Sequence, residues 1–190
     1  MTMCRFKNKK MQTYISILRG INVGGHKMIK MDALRKMYET LDFTNVKTYI
    51  QSGNVIFVYK KANCEDLENK IAENIVKTFG FDVPVIVKTS DDISEVLQNN
   101  PFVNERNEDE KTLHVTFLSK IPDVTDVEKI KNGQYTGDEF VIVEKNVYLY
   151  CADSYHKTKL SNNFFENKLK VTATTRNWKT VNELGKLSGE

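Results

Sequence analysis

The order of short apolar runs and helical patterns along residues 13–88 constrains the fold of this chain more than any other feature. Tyr14 to Leu18 is a nearly continuous apolar run, which is typical of a central strand. Apolar residues then recur at helical spacing from Met31 to Leu41, with Asp32 in the first turn. The series continues with strand patterns at 46–50 and 55–59, a helix capped by Asn63 and ended by Gly80, and a strand at 83–88. This β-α-β-β-α-β order predicts a ferredoxin-like unit.

The second half of the chain repeats this order in part. Residues 113–118 form a strand pattern, and Thr125 with Glu128 makes a capping box for a short helix through Ile130. The remaining patterns are strands at 139–143 and 147–151, a helix at 161–168 and a last helix that opens at Thr174. The predicted fold is therefore α+β, with a ferredoxin-like βαββαβ unit followed by a second, partial ferredoxin-like βαββαα unit.

Composition shifts suggest the boundaries of these units. Residues 1–10 are polar and basic, and residues 104–111 contain no apolar side chain. We therefore expect a disordered leader at 1–10, the first unit at 11–88, a connecting helix and charged loop at 89–111, and the second unit with its C-terminal helix at 112–190.

The overall composition is that of an ordinary cytoplasmic protein. A net charge of +3 and a pI near 8.6 permit a nucleic acid or a phosphorylated partner without requiring one. Three widely spaced cysteines indicate reduced thiols, and three scattered histidines give no metal-ligand spacing. No run approaches the roughly 20 apolar residues of a membrane span. We predict a cytoplasmic protein with no metal, no cofactor and no membrane partner, and the oligomeric state stays open.

The first candidate site is the glycine-rich segment 18–27, Leu-Arg-Gly-Ile-Asn-Val-Gly-Gly-His-Lys, between the first strand and the first helix. Its glycines suit a backbone with positive φ or one that approaches a ligand closely, and the surrounding cations favour an anion. The candidate ligand-binding residues are Arg19, Gly20, Asn22, Gly24, Gly25, Lys27 and Lys30. The segment lacks the spacing of the nucleotide-binding glycine motifs, so a plain strand-to-helix turn is an equal alternative.

Two further candidate segments lie near the C terminus. Residues 155–163 carry lysines, hydroxyls and amides that suit a phosphate or a sugar, although a capped helix start explains them equally well. Residues 174–180 are predicted to open the last helix, whose first N–H groups and a cation favour an anion, while the spacing of Trp178 indicates a core residue. The candidate residues are Lys157, Lys159, Ser161, Asn162, Thr175, Arg176 and Asn177.

The segment Gln51-Ser52-Gly53-Asn54 predicts a hairpin turn, because Gly and Asn accept positive φ. In a ferredoxin-like sheet of order 4-1-3-2, we expect this turn at the opposite end from the glycine-rich segment. The two would then not share a pocket within one unit.

Four separate segments of the chain together resemble a known family. They are LRGINVGG at 18–25, YIQSGNV at 49–55, KLSN at 159–162 with FFE at 164–166, and ATTRNW at 173–178. The set closely resembles a family of bacterial proteins labelled domain of unknown function 1697. The resemblance implies a bacterial α+β protein with ferredoxin-like organisation, and it implies no activity and no catalytic residue. Residues 151–156 depart from the Pro and Gly that relatives tend to have at this turn.

Three functions are compatible with the sequence. The favoured one is binding of a phosphate-bearing partner, a nucleic acid or a nucleotide, through Arg19, Lys27, Lys30, Lys157, Lys159 and Arg176. The alternatives are a small-molecule enzyme with a cleft between the two units, and a structural or protein-interaction role. Catalytic residues stay unassigned, because the chain has no G-x-S-x-G or H-E-x-x-H motif. A cleft with buried polar groups would favour the small molecule, and a flat basic stripe would favour nucleic acid.

Overall fold

The N-terminal unit has the predicted ferredoxin-like topology. The computed structural model describes residues 10–189, so the predicted leader lies outside it except for Lys10. The unit consists of β1 (Met11–Leu18), α1 (Met31–Glu39), β2 (Thr44–Tyr49), β3 (Asn54–Lys60), α2 (Cys64–Phe79) and β4 (Val85–Thr89). Its strands form an antiparallel sheet of order β2-β3-β1-β4. Asn63 and Gly80 cap α2 as predicted, Gly80 with a left-handed backbone.

The C-terminal unit has the same topology in complete form. Between the units lie α3 (Ser90–Gln98), α4 (Pro101–Asn104) and a 3₁₀ turn at Glu110–Thr112. The unit itself consists of β5 (Leu113–Leu118), α5 (Val124–Lys131), β6 (Glu139–Val143), β7 (Asn146–Tyr150), α6 (Asn162–Leu169) and β8 (Ala173–Asn177), and α7 (Trp178–Gly189) follows. The sheet order is β6-β7-β5-β8, which matches the order in the N-terminal unit. The predicted fold class, α+β with two ferredoxin-like units, is confirmed.

The prediction that residues 174–177 open the last helix is wrong, because these residues belong to β8. Thr174 and Thr175 are β-branched and fit a strand better than a helix start. Their backbone pairs with Phe117 and Thr116 of β5, so the fourth strand completes the second unit. The helical spacing that begins at Trp178 does not extend back into this strand.

The N-terminal caps of α3 and α5 are both side-chain caps, and the cap of α5 lies two residues before the predicted position. Thr89 caps α3 in a capping box with Asp92, and Ser90 is the first helical residue. Asp123 caps α5 by accepting from Thr125 N, so Thr125 lies inside the first turn.

One of the hydrophobic clusters of the molecule joins residues of both units, and we call it the shared core. β1 alternates between two buried faces, and Tyr14 and Leu18 pack with α1 and α2 while Ile15 and Ile17 face the other way. This second face joins residues of β5, α3 and α7 in a single cluster. Trp178 is 3% exposed and lies in the same cluster, which confirms its predicted core position. Burial on both faces explains why β1 reads as a continuous apolar run.

Candidate functional site

The glycine-rich segment and the β2–β3 turn lie side by side, so the expectation that they occupy opposite ends of the sheet is wrong. Leu18 N donates to Gly53 O at 2.8 Å, and Ile17 is paired with Asn54. β1 and β3 are antiparallel, and the end of one strand therefore adjoins the start of the other. The β2–β3 turn precedes β3 and must accompany the end of β1.

The glycine-rich segment is closed on itself by Asn22. Its side-chain amide donates to Ile29 O at 2.9 Å and to Gln51 O at 3.0 Å, while its Oδ1 accepts from Ile29 N at 2.8 Å. Gly24 and Gly25 have φ of +58° and +79°, the positive values that both central residues of a type I′ turn require. Turn geometry explains these glycines, and Gly20 is exposed beside them.

Arg176 joins the two units at this end of the molecule. From β8, its Nε donates to Asn54 Oδ1 at 2.7 Å, and its Nη2 donates to Leu18 O at 2.9 Å and Ser52 O at 2.7 Å. Its Nη1 donates within β8 to Thr174 Oγ1 and to Thr175 O. Burial lowers the pKa of Arg176 to about 10 against the attraction of Tyr155. We call this arrangement the Arg176 clamp; it leaves the guanidinium no room for a phosphate.

Arg19 makes the second connection between the units. Its Nε and Nη2 donate to the two carboxylate oxygens of Glu166 at 3.1 and 2.7 Å, and Nη2 also donates to Asn163 Oδ1 at 2.8 Å. Burial alone would raise the pKa of Glu166, but hydrogen bonds from Arg19 and Ala173 N outweigh it and hold the pKa below its usual range. Arg19, like Arg176, is thus engaged in holding the units together.

The predicted lysines are on the surface and differ in their contacts. Lys27 Nζ donates to Asp82 O, and Lys157 lies 3.5 Å from a carboxylate oxygen of Asp153. Lys30 and Lys159 are exposed, and their side chains form no hydrogen bond or ion pair with residues 10–189.

The predicted polar residues of the C-terminal unit form a small network. The Thr175 hydroxyl donates to Asn162 Oδ1 at 2.7 Å and accepts from Tyr155 at 2.9 Å, and it lies 2.6 Å from Thr116 Oγ1. Two members of this network, Asn162 and Thr175, are predicted site residues. Two further predicted residues, Ser161 and Asn177, lie outside the network and cap helices: Ser161 caps α6, and Asn177 Oδ1 accepts from Thr180 N in α7.

A cavity of about 580 Å³ lies elsewhere, between β4 and the start of α2 on one side and the β6–β7 turn on the other. We call it the inter-unit cavity. None of the predicted site residues lines it. Its charged lining consists of the carboxylates of Glu65, Glu68, Asp92, Glu95 and Glu144 and the ammonium groups of Lys88, Lys120 and Lys145.

Two polar groups at the inter-unit cavity, Lys88 Nζ and Asn146 Oδ1, have no hydrogen-bond or ion-pair partner among residues 10–189. Lys88 on β4 is 6% exposed, and its side chain forms no hydrogen bond or ion pair with any residue in the described range. Its Nζ lies over the Phe117 ring, 5.8 Å from the centroid. Burial lowers the pKa of Lys88, against the opposing attraction of Asp92. Asn146 Oδ1 is buried and likewise accepts no hydrogen bond from the described chain.

The carboxylates nearest to Lys88 keep unused oxygens. Glu68 Oε1 accepts from Val87 N at 2.8 Å, and Asp92 Oδ2 accepts from Thr89 N at 2.7 Å. Burial raises the pKa of Glu68 despite that hydrogen bond and the nearby lysines. The sequence offers one signal for this site, a lysine that directly follows the buried run Val85–Val87.

Comparison with known proteins identifies a family and a fold. The model of a family described as protein of unknown function (DUF1697) matches residues 11–148. The chain belongs to the DUF1697 family. A search of curated proteins finds no match for it. One similar solved structure is conserved bacterial protein SP0830 from Streptococcus pneumoniae, at 23% identity and a TM-score of 0.71, covering 94% of this chain and 99% of that one. This likeness supports the fold of the chain, and the family description assigns no function.

The part of the chain that the structure describes contains no candidate metal site of three or more ligating side chains and no candidate membrane-spanning helix. Between residues 10 and 189, no helix is long and apolar enough to span a bilayer. Within the same range, no group of three or more His, Cys, Asp or Glu side chains is placed to hold a metal ion.

Proposed function

We propose that this protein binds a small polar molecule in the inter-unit cavity. The supporting observation is that Lys88, a residue only 6% exposed, lines the cavity without a hydrogen-bond or ion-pair partner in the described range, beside the free carboxylate oxygens of Glu68 and Asp92. A largely buried charge is costly without a partner. A molecule that pairs with Lys88 and with these carboxylates accounts for the arrangement. The volume of about 580 Å³ lies within the range of small-molecule sites.

This proposal develops the cleft alternative, and binding of a phosphate-bearing ligand stays a prediction. Three of the six cations named for phosphate binding, Arg19, Lys27 and Arg176, already donate to groups of the protein, and Lys157 lies in an ion pair with Asp153. Exposed Lys30 and Lys159 are the cations that a phosphate or a nucleic acid would meet first.

A thermal-shift panel separates the two functions. It contains small polar metabolites, nucleotides, inorganic phosphate and single-stranded oligonucleotides, each at two salt concentrations. A ligand that binds only the folded state raises the unfolding midpoint. We expect a small molecule to raise the midpoint of the wild type and of the control Lys36→Arg, an exposed helix position, but not of Lys88→Arg.

Two results would overturn the proposal. One is that no compound of the panel raises the unfolding midpoint of the wild type more than that of Lys88→Arg. The other is an oligonucleotide shift that high salt removes and that Lys30→Ala or Lys159→Ala weakens while Lys88→Arg does not, because phosphate contacts are salt-sensitive. That second result would support the phosphate prediction.

We also propose a cytoplasmic location, which the free thiols of Cys64 and Cys151 support, since the cysteines of exported proteins tend to be oxidised to disulfides. Cell fractionation with the untagged protein tests this, and recovery from the envelope or the medium would contradict it.

A further inference from the structure

The two units correspond residue by residue around their central strands. In each unit, the last residue of the central strand donates to the turn before the third strand, and the next residue donates to the segment before the fourth. The matching backbone bonds are Leu18 N to Gly53 O with Leu118 N to Lys145 O, and Arg19 N to Pro84 O with Ser119 N to Thr172 O. Asn54, opposite Ile17, therefore corresponds to Asn146, opposite Phe117.

The same register equates Lys88 with Arg176. Lys88 of β4 is opposite Ile15, and Arg176 of β8 is opposite Val115, the matching position of the other central strand. Each is followed by a residue that caps the next helix, Thr89 for α3 and Asn177 for α7.

The inter-unit cavity occupies the place that a guanidinium fills in the other half of the molecule. In the Arg176 clamp, Nε reaches Asn54 Oδ1 at 2.7 Å. In the corresponding place, Lys88 does not hydrogen-bond Asn146, whose Oδ1 stays without a donor from the described chain. A lysine lacks the planar fork of donors that arginine offers, so the second clamp does not form.

We infer that the inter-unit cavity is a binding site for an amino acid or a related zwitterion, with the ligand carboxylate on Lys88 and the ligand ammonium on the free carboxylate oxygens of Glu68 and Asp92. The inference rests on the proposed function and names the ligand class for that site.

The charges of the cavity favour a zwitterion over either ion alone. An anion would pair with Lys88 but would also face the carboxylates of Glu68 and Asp92, which line the same cavity. A cation would suit those carboxylates but would face the Lys88 ammonium. An amino acid carries its carboxylate and its ammonium on the same carbon atom, so it can pair with Lys88 and with these carboxylates at once, and the cavity volume of about 580 Å³ leaves room for a side chain.

The test is a calorimetric titration of the full chain with the common amino acids. The best binder is compared with its deaminated acid and its decarboxylated amine. We expect each analogue to bind roughly tenfold more weakly or worse, since each loses one charge-assisted interaction.

Two Lys88 variants accompany the titration. Lys88→Arg should rebuild the clamp on Asn146, so we expect a higher unfolding midpoint without ligand and loss of binding. Lys88→Met removes the charge without supplying donors, and we expect loss of binding without that rise. Lys36→Arg serves again as the control and should bind like the wild type.

The outcomes distinguish this inference from the proposed function. If the deaminated acid binds as tightly as the amino acid, and binding still requires Lys88, the zwitterion is refuted while the cavity remains the binding site. If Lys88→Arg binds the amino acid as the wild type does, the inference is also refuted. If no compound binds through Lys88, the proposed function fails with it.

Discussion

Replacement of Arg176 by lysine should separate the contribution of the Arg176 clamp from that of the shared core. The guanidinium makes five hydrogen bonds, three to the N-terminal unit and two within β8. A lysine at the corresponding position in the other unit, Lys88, makes none within the described chain. The change should therefore leave Asn54 Oδ1 and two backbone carbonyls without this partner and retain a buried charge.

The expected loss is large for a conservative substitution. Removing one partner from a buried charged network costs about 3–5 kcal/mol, close to the net value of two hydrogen bonds to a charged group. For a chain of this size, that loss lowers the unfolding midpoint by about 6–20 °C.

Urea unfolding followed by Trp178 fluorescence measures this loss. Trp178 is the only tryptophan, and it lies in the shared core two residues from Arg176. Arg35→Lys is the matched control, because Arg35 forms an exposed ion pair with Glu39 and should change stability by less than about 0.5 kcal/mol. A loss below about 1 kcal/mol in Arg176→Lys, with an unchanged urea slope, would refute the clamp as a major source of stability.

Two further predictions concern the same junction. Gly53→Ala should cost about 2–4 kcal/mol in urea unfolding, because φ is +79° and the new Cβ would lie 2.7 Å from Ile21 Cδ1. Gly80→Ala, with φ of +75° and open space around it, should lose only about 1–2 kcal/mol, and equal losses would contradict the steric argument. Because the pKa of Glu166 is lowered, mainly through Arg19, its stabilisation exists above the unfolded pKa and disappears as pH falls through the folded one. The unfolding midpoint should therefore depend less on pH in Glu166→Gln between about pH 5 and 3, and parallel profiles would contradict this.

The four segments behind the family resemblance meet at this junction. Arg19 from the first segment contacts Glu166 from the third, and Arg176 from the fourth contacts Ser52 and Asn54 from the second. Their residue types are explained by the contacts that hold the two units together. The inter-unit cavity, where we propose ligand binding, is lined by other parts of the chain.

Sequence alone determined the features that depend on neighbouring residues. Asn63 and Gly80 mark the ends of α2 because capping involves side-chain and backbone groups within a few positions. The strand and helix order of the N-terminal unit follows from local periodicity, and so does the core position of Trp178.

Only the tertiary structure decided which cations are engaged and which polar groups lack partners. Arg176 and Asn54 are 122 residues apart, so no local pattern indicates that the arginine is occupied. β8 forms because β5 offers it an edge, and a five-residue segment before a helix carries too little periodicity to reveal this. Lys88 and Asn146 each look ordinary in sequence. Their position between two folded units buries most of Lys88 and all of Asn146 Oδ1, and only that environment makes their lack of partners in the described range informative.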